Sequence, residues 1–369
     1  MSKRVLITGG AGFIGSRLVK SLNRRDAGNR VWVLDNLHPQ VHGPGASPPC
    51  FPAGTTFVNG DVEDAATLAR VVAEARPELV YHLAAETGTG QSYDEPSRYC
   101  GVNVMGTAHL VEAIRQTGGV ERVVLAASRA VYGEGAYTDA TGREFTGLPR
   151  DPAAMSGGDF SVALEAAAAA PWEATASHAG LPPAPSSIYA STKLMQEYLL
   201  TQAGDGAGWD AVMLRFQNVY GPGQSLRNPY TGVLSIFATQ LLAGRRLSIF
   251  EDGQIARDFV FVDDVVESLA LAGEKDVAHG TTIDIGSGQA VTILAVARIL
   301  MKALGIPDDA CDVTGQFRVG DIRHARADIR AAQAVLGWTP RVSIEDGLNA
   351  LAAWARDEYG QVATGGKHG

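Results

Sequence analysis

The chain has 369 residues, 46% of them hydrophobic, with a mean hydropathy of zero, a formal net charge of −9 and a pI near 5.4. That length accommodates one large α/β unit and a smaller lobe, while an acidic chain without a long basic run lacks the electrostatic footprint of a nucleic-acid binder. No apolar run is long enough for a membrane span, no secretory leader is expected from the Met1-Ser-Lys-Arg start, and three scattered cysteines, Cys50, Cys100 and Cys311, suit a reducing cytoplasm.

Residues 4–8 read as a short buried strand, a glycine turn follows, and 16–25 carries helix-period apolar residues ending in basic ones. Strands are expected at 30–34, 56–59 and 79–83, with a helix at 65–75 between the last two. A long helix at 103–117 and a strand at 122–127 continue the alternation. Strands alternating with helices at this spacing argue for a parallel, doubly wound sheet covered on both faces, the Rossmann arrangement.

Between 134 and 187 the periodicity dissolves into Gly, Pro, Ala and Ser. This is an insertion, with a short helix expected around 161–170, and it serves either as a lid over a substrate or as a disordered spacer. Then come a helix from Ser187 to about Ala203, a strand at 211–216, a loop at 222–229 and a helix beyond Val233 leading into Leu247-Ser-Ile-Phe250. A strand at 257–262, a helix at 263–272 and a strand at 282–285 precede helices at 294–304 and 344–356. Residues 1–216 therefore read as the first domain, to which 257–287 return. Residues 217–256 and 288–363 form a smaller α/β lobe, and 364–369 a frayed tail.

Gly10-x-Gly12-x-x-Gly15, inside Gly9-Gly-Ala-Gly12-Phe13-Ile14-Gly15, follows the first strand and opens a helix, with Asp35 ending the next strand 20 residues beyond Gly15. That context is the dinucleotide fingerprint. Glycines let the backbone approach a pyrophosphate, and the helix start offers free N–H groups and a positive dipole end. Asp35, with Asn36 beside it, would accept from an adenosine ribose. A 2′-phosphate would meet that carboxylate with no adjacent arginine, so NAD is the expected cofactor and residues 1–216 the NAD-binding domain. Gly60-Asp61-Val62 sits where it could read the adenine edge, and His82-Leu83-Ala84-Ala85, with Thr87 just after, allows close approach of the cofactor. The competing reading, a structural glycine turn, accounts for none of these companions.

Tyr189-Ala-Ser-Thr-Lys193 falls on an expected helix, where residues four apart share a face. An ammonium at Lys193 can lower the pKa of the Tyr189 phenol and poise it for proton transfer. Alone, the pattern is far more often an ordinary amphipathic helix. His38, His42, His82, His178, His279 and His324 make no metal-ligand spacing, and no metal is expected.

On these residues the chain resembles the extended short-chain dehydrogenase/reductase family, and within it the nucleotide-sugar epimerases of the UDP-galactose 4-epimerase type. The resemblance runs from the glycine turn to Arg318-Val-Gly-Asp321. The segments Ala85-Glu-Thr-Gly-Thr-Gly-Gln-Ser92 and Asn228-Pro-Tyr-Thr-Gly-Val-Leu-Ser235, with the insertion, are most similar to the dTDP-L-rhamnose 4-epimerase-like branch. It implies that Ser128, in Ser128-Arg-Ala-Val-Tyr-Gly133, is catalytic with Tyr189 and Lys193, and that Asn103 helps order the cofactor side of the site. In Phe216-Gln-Asn218-Val219-Tyr-Gly-Pro222 it implies cofactor contacts from Phe216 and Val219 and substrate contact from Asn218. In the small lobe, Leu247 to Phe250 would stack a nucleobase near Val233, with Arg257, Arg318 and Asp321 at the diphosphate. Two guanidinium forks gripping phosphate oxygens make physical sense, although either arginine alone is more often a surface salt-bridge residue.

The activity so implied is NAD-dependent inversion at C4 of a nucleoside-diphosphate hexose or 6-deoxyhexose, carried by dTDP or UDP, through a transient 4-keto sugar. Tyr189 would take the 4-hydroxyl proton, Ser128 would share a hydrogen bond with that oxygen, and Lys193 would bind the nicotinamide ribose. A homodimer through the helices after Asn103 and around Tyr189 is implied as well. Related 4,6-dehydratases carry an Asp-Glu pair where Arg129 and Ala130 stand, decarboxylases a Glu at Ala130, and epimerase-reductases a cysteine near the serine; none of these is present. A 4-keto-sugar reductase needs the same Ser, Tyr and Lys. A non-catalytic NAD-sensing protein is the rival from another class, and such proteins commonly lose the tyrosine or lysine kept here.

Overall fold

The computed structural model describes residues 2–163, 170–226, 228 and 232–365. Its centre is a seven-stranded sheet built from β1 (Arg4–Thr8), β2 (Arg30–Asp35), β3 (Thr55–Asn59), β4 (Leu79–His82), β5 (Arg122–Ser128), β6 (Asp210–Phe216) and β7 (Thr281–Ile285). The spatial order is β7-β6-β5-β4-β1-β2-β3, and every neighbouring pair is parallel. Alternation along the strands sends side chains to two separate cores. Val5, Ile7, Val31, Val33, Val124 and Leu214 face one, while Leu6, Leu34, Val80, Val123, Leu125 and Met213 face the other.

Helices Gly15–Arg25 and Val262–Glu274 cover the first face through Leu18, Val19, Leu22, Val265 and Leu269. Helices Ala65–Ala75, Gly106–Thr117 and Ile188–Gly204 cover the second through Leu68, Val72, Leu110, Ile114 and Leu200. Each such side chain contributes about 1.5–3 kcal/mol on burial. The helix expected from Asn103 begins earlier, as a π-helical turn, Cys100–Met105, that runs into Gly106–Thr117.

The smaller lobe holds strands Asn218–Tyr220, Ala256–Phe261 and Ala290–Thr292 in one small sheet and Leu247–Ile249 with Cys311–Val313 in another. Helices Val233–Leu242, Ile293–Ala303 and Ile344–Gly365 complete it. Of the returning stretch 257–287, the helix and β7 join the large unit. The strand Ala256–Phe261 instead stays in the lobe, because its partners are Asn218–Tyr220 and Ala290–Thr292.

The insertion is ordered where it is described. Strands Ala136–Asp139, Glu144–Thr146 and Trp172–Ala174 form an antiparallel sheet, and a short helix, Pro152–Ser156, starts with Asp151 accepting from the Ala153 amide. No helix occupies 161–163, where Ala163 bridges Leu148; the rest of the helix expected to 170 lies outside the described residues, as do parts of the 222–229 loop, of the Asn228–Ser235 segment and of the tail. Among the described residues no helix is long and apolar enough to cross a membrane.

Candidate active site

The glycine turn is fixed by what surrounds it. Gly9 has φ +70°, and a Cβ there would lie 2.6 Å from the Ala84 amide nitrogen; one at Gly15 would lie 2.4 Å from the Gly9 carbonyl oxygen. Any side chain would force the turn away from β4 and close the cradle. No side chain caps the helix that starts at Gly15, and the Phe13 and Ile14 amides just before it have no backbone partner among the described residues, which leaves N–H groups for an anion. Gly12 accepts from the Ser16 amide at 3.0 Å, and Phe13 and Ile14 are half-buried between turn and helix.

Asp35 is buried and holds the turn from the side. One carboxylate oxygen accepts from the Ala11 amide and the other from the Leu37 amide, both at 2.9 Å. Asn36 donates to Asp61 at 2.7 Å, joining the two acidic strand ends expected around an adenosine. Val62 is buried behind Asp61. Leu83, Ala84 and Ala85 are half-buried at the end of β4, whereas Thr87 is exposed and offers its carbonyl to Tyr99.

A buried polar chain links this cradle to the helix Ile188–Gly204 that carries Tyr189 and Lys193. The Thr107 hydroxyl donates to the Asn103 carbonyl at 2.6 Å, so the 2.9 Å contact between His82 Nε2 and that hydroxyl is a donation from the ring. His82 Nδ1 then accepts from Thr8 at 2.7 Å, and burial keeps the imidazole neutral, with its pKa pushed down to about 3. Gln196 donates to Thr107 at 2.8 Å and accepts from the Lys193 ammonium at 2.5 Å. Lys193 is 3% exposed. Burial drags its pKa down to about 7, against the opposing pull of Glu197.

Tyr189 sits one turn earlier on the same helix, which opens with Ser187 accepting from the Ala190 amide. Burial raises the phenol pKa; a hydrogen bond from Ser128 and the charge of Arg129 lower it. Ser128 ends β5 beside it. The structure thus brings Ser128, Tyr189 and Lys193 to one place, but the ammonium leans on Gln196 and the cation felt by the phenol is Arg129. Arg129, half-buried and tied to the Gly133 carbonyl at 2.8 Å, has its own pKa lowered to about 10 by burial and by Arg257. In the sequence it showed only as a missing acid.

Across the cleft, Arg257 is buried and donates to Asp321 at 2.5 Å. Arg318 is exposed, with its guanidinium 5.0 Å over the Phe250 ring. Phe216 is buried, and Asn218 and Val219 are half-buried on the strand that crosses from β6 into the lobe. Val233, half-buried, begins the helix Val233–Leu242. Sequence reasoning passed over Arg150, buried in the insertion and donating to Glu251 at 2.8 Å. A lone arginine in a Pro- and Gly-rich stretch gives no periodic signal.

The cradle fits a dinucleotide on two observations: glycine contacts that a side chain would fill, and an uncapped helix start beside a buried acid. A parallel sheet of this order with a Ser, Tyr and Lys beside such a cradle defines an enzyme of the dehydrogenase/reductase class that uses NAD. The chain belongs to the NAD dependent epimerase/dehydratase family, whose model matches residues 5–154 and 162–286. It is 40% identical to a dTDP-L-rhamnose 4-epimerase of Burkholderia thailandensis over 96% of both chains. It is 33% identical to a UDP-glucose 4-epimerase of Mycolicibacterium smegmatis, covering 96% of this chain and 99% of that one. Among solved structures, a Thermus thermophilus UDP-glucose 4-epimerase complex with NAD superposes with a TM-score of 0.76 at 31% identity, covering 95% of this chain and 98% of that one.

Proposed function

We propose that this chain, an NAD-dependent nucleotide-sugar 4-epimerase, inverts C4 of a 6-deoxyhexose carried on dTDP, with UDP as the other candidate carrier. The observation that carries the C4 chemistry is the half-buried Tyr189 phenol between the Ser128 hydroxyl and the Arg129 guanidinium. The 40% likeness to a dTDP-L-rhamnose 4-epimerase supports the carrier and the sugar.

NAD, when bound, supplies a hydride acceptor that returns what it takes. Tyr189, as phenolate, removes the proton of the 4-hydroxyl while the C4 hydrogen leaves with its electron pair, so the sugar becomes a 4-ketone. Ser128 donates to the 4-oxygen, and Arg129 stabilises the phenolate that starts each cycle. Lys193 holds the nicotinamide ribose, and Asp35 the adenosine ribose. Arg257 and Arg318 keep the diphosphate anchored while the ketone turns its other face, after which Tyr189 returns the proton. Because the cofactor is regenerated in each cycle, it is retained.

A homodimer is part of this proposal. Met105 on the π-helical turn and Met195 and Tyr198 on the catalytic helix are 49%, 45% and 47% exposed, an apolar face on the two elements where pairing is expected. Free thiols at Cys50, Cys100 and Cys311 accord with the cytoplasm as the place of reaction.

The test is to incubate purified protein, without added cofactor, with dTDP-, UDP- and GDP-linked hexoses and 6-deoxyhexoses and to separate the products. An isomer of unchanged mass from a dTDP-6-deoxyhexose is the expected result. Turnover only of a 4-keto sugar with added NADH or NADPH would identify a reductase and overturn the proposal.

A further inference from the structure

The insertion has a position that the C4 chemistry does not require. Its Met155–Phe160 stretch faces the small lobe across a cavity of about 680 Å³, lined by Met155, Gly157 and Phe160 on one side and by Phe250, Gln316 and Phe317 on the other. Phe250 is the ring over which Arg318 is stacked. Three phenylalanines around one opening suit a flat π-system, since every nucleobase has a face that stacks on aromatic rings. The Gln316 side-chain amide supplies both a donor and an acceptor for a base edge.

The insertion side of this cavity is bolted to the diphosphate site. Arg150, its side chain 1% exposed, donates to Glu251 and to the Asp321 carbonyl, both at 2.8 Å. Glu251 also accepts from Arg323 at 2.9 Å, and Glu134 accepts from the Arg323 amide at 2.5 Å. The Asp321 carboxylate in turn holds Arg257. A wall fixed through Asp321 stands in constant register with the arginine that grips the diphosphate, which places a base at a set distance from the phosphates.

We infer that residues 155–160 of the insertion form the outer wall of the nucleobase pocket, enclosing the pyrimidine of the nucleoside-diphosphate sugar against Phe250 and Phe317. This rests on the nucleotide-sugar reading above. It makes the insertion a determinant of which nucleotide is accepted, while the sugar is handled elsewhere, at Tyr189.

The experiment compares binding of dTDP, UDP and inorganic pyrophosphate to the NAD-loaded protein and to its Phe160→Ala and Phe160→Trp variants by calorimetry. Phe160→Ala should weaken dTDP and UDP about tenfold or more, the loss expected for one stacking partner, and leave pyrophosphate unchanged. In Phe160→Trp, dTDP should change the tryptophan emission and pyrophosphate should not. Unchanged dTDP affinity in Phe160→Ala together with an emission unmoved by dTDP in Phe160→Trp overturns the inference while the functional reading stands. Wild-type protein that binds none of the three overturns both.

Discussion

Asn103 donates its side-chain amide to the Thr192 hydroxyl at 2.9 Å, across the seam between the π-helical turn and the helix Ile188–Gly204. The same amide group donates to the Glu86 carbonyl at 3.1 Å and accepts from the Glu86 amide at 2.8 Å, and Thr192 donates to the Tyr189 carbonyl at 2.8 Å. One buried asparagine therefore sets the loop after β4 against the helix that carries Tyr189. Asn103 sits in that π-helical turn and is fully buried, and such turns recur at functional sites.

Asn103→Ala leaves the Glu86 backbone groups and Thr192 without their partner. The expected loss is about 1–3 kcal/mol in denaturant unfolding, the range for buried polar groups left unsatisfied, with kcat falling more than KM rises. Asn103→Asp keeps the acceptor for Glu86 but not the donors, and should recover only part of the loss.

Tyr189→Phe removes the proton acceptor and little volume. Turnover should fall about 10²–10⁴-fold, while NAD measured in the purified variant stays at wild-type occupancy. Wild-type turnover in Tyr189→Phe would exclude the phenol as the base.

The buried Lys193 gives a pH signature. In the NAD-stripped protein its pKa is about 7, against about 10.4 in an unfolded chain. Between those values the unfolded state binds a proton that the folded state does not, so this lysine makes stability rise with pH from 7 toward 10. An ammonium engaged with the nicotinamide ribose reverses the preference. NAD binding at pH 8–9 should take up close to one proton, seen as a buffer-dependent enthalpy, and NAD affinity should weaken as pH rises above 7. Lys193→Met should abolish both.

Gly9→Ala forces a methyl group onto the Ala84 amide at a backbone angle that alanine rarely adopts. Strain of about 1–3 kcal/mol is expected, with loss of NAD from the purified protein as the direct readout.

Arg150→Met leaves Glu251 facing Arg323 alone and removes the cation nearest Glu134, whose carboxyl is already raised above the usual range by burial. Losing one partner of a buried ion pair is expected to destabilise by about 3–5 kcal/mol, checked by thermal and denaturant unfolding.

Much of this was legible in the chain because its signals are local. The turn from Gly9 to Gly15 with Asp35 follows from backbone sterics and one strand spacing, and Tyr189 with Lys193 from helical period. The insertion was not legible: its strands are three or four residues long, too short for a period of two to stand out among Gly, Pro and Ala. The π-helical turn left no mark either, since its apolar pattern merges with the following helix. Lys193 and Arg129 show the limit inside the site. Spacing puts the ammonium near the phenol but cannot tell that Gln196 captures it, and a substitution that read as the absence of an acid supplies the nearest cation. Arg257 with Asp321 joins residues 64 positions apart, a pairing that only the folded lobe creates.

The chain leaves the central sheet at Phe216, builds the first part of the small lobe and the helix Val262–Glu274, and only then returns to lay β7 along β6. Until Thr281–Ile285 has been synthesised, β6 is an edge of Val, Met, Leu and Phe whose backbone groups on the β7 side are unpaired, a template for the wrong partner. A fragment ending near Phe216 should therefore aggregate instead of folding as a free-standing cofactor domain. During translation the nascent chain must hold that edge out of reach of its neighbours, so chaperone capture of chains shorter than about 280 residues is the expected safeguard.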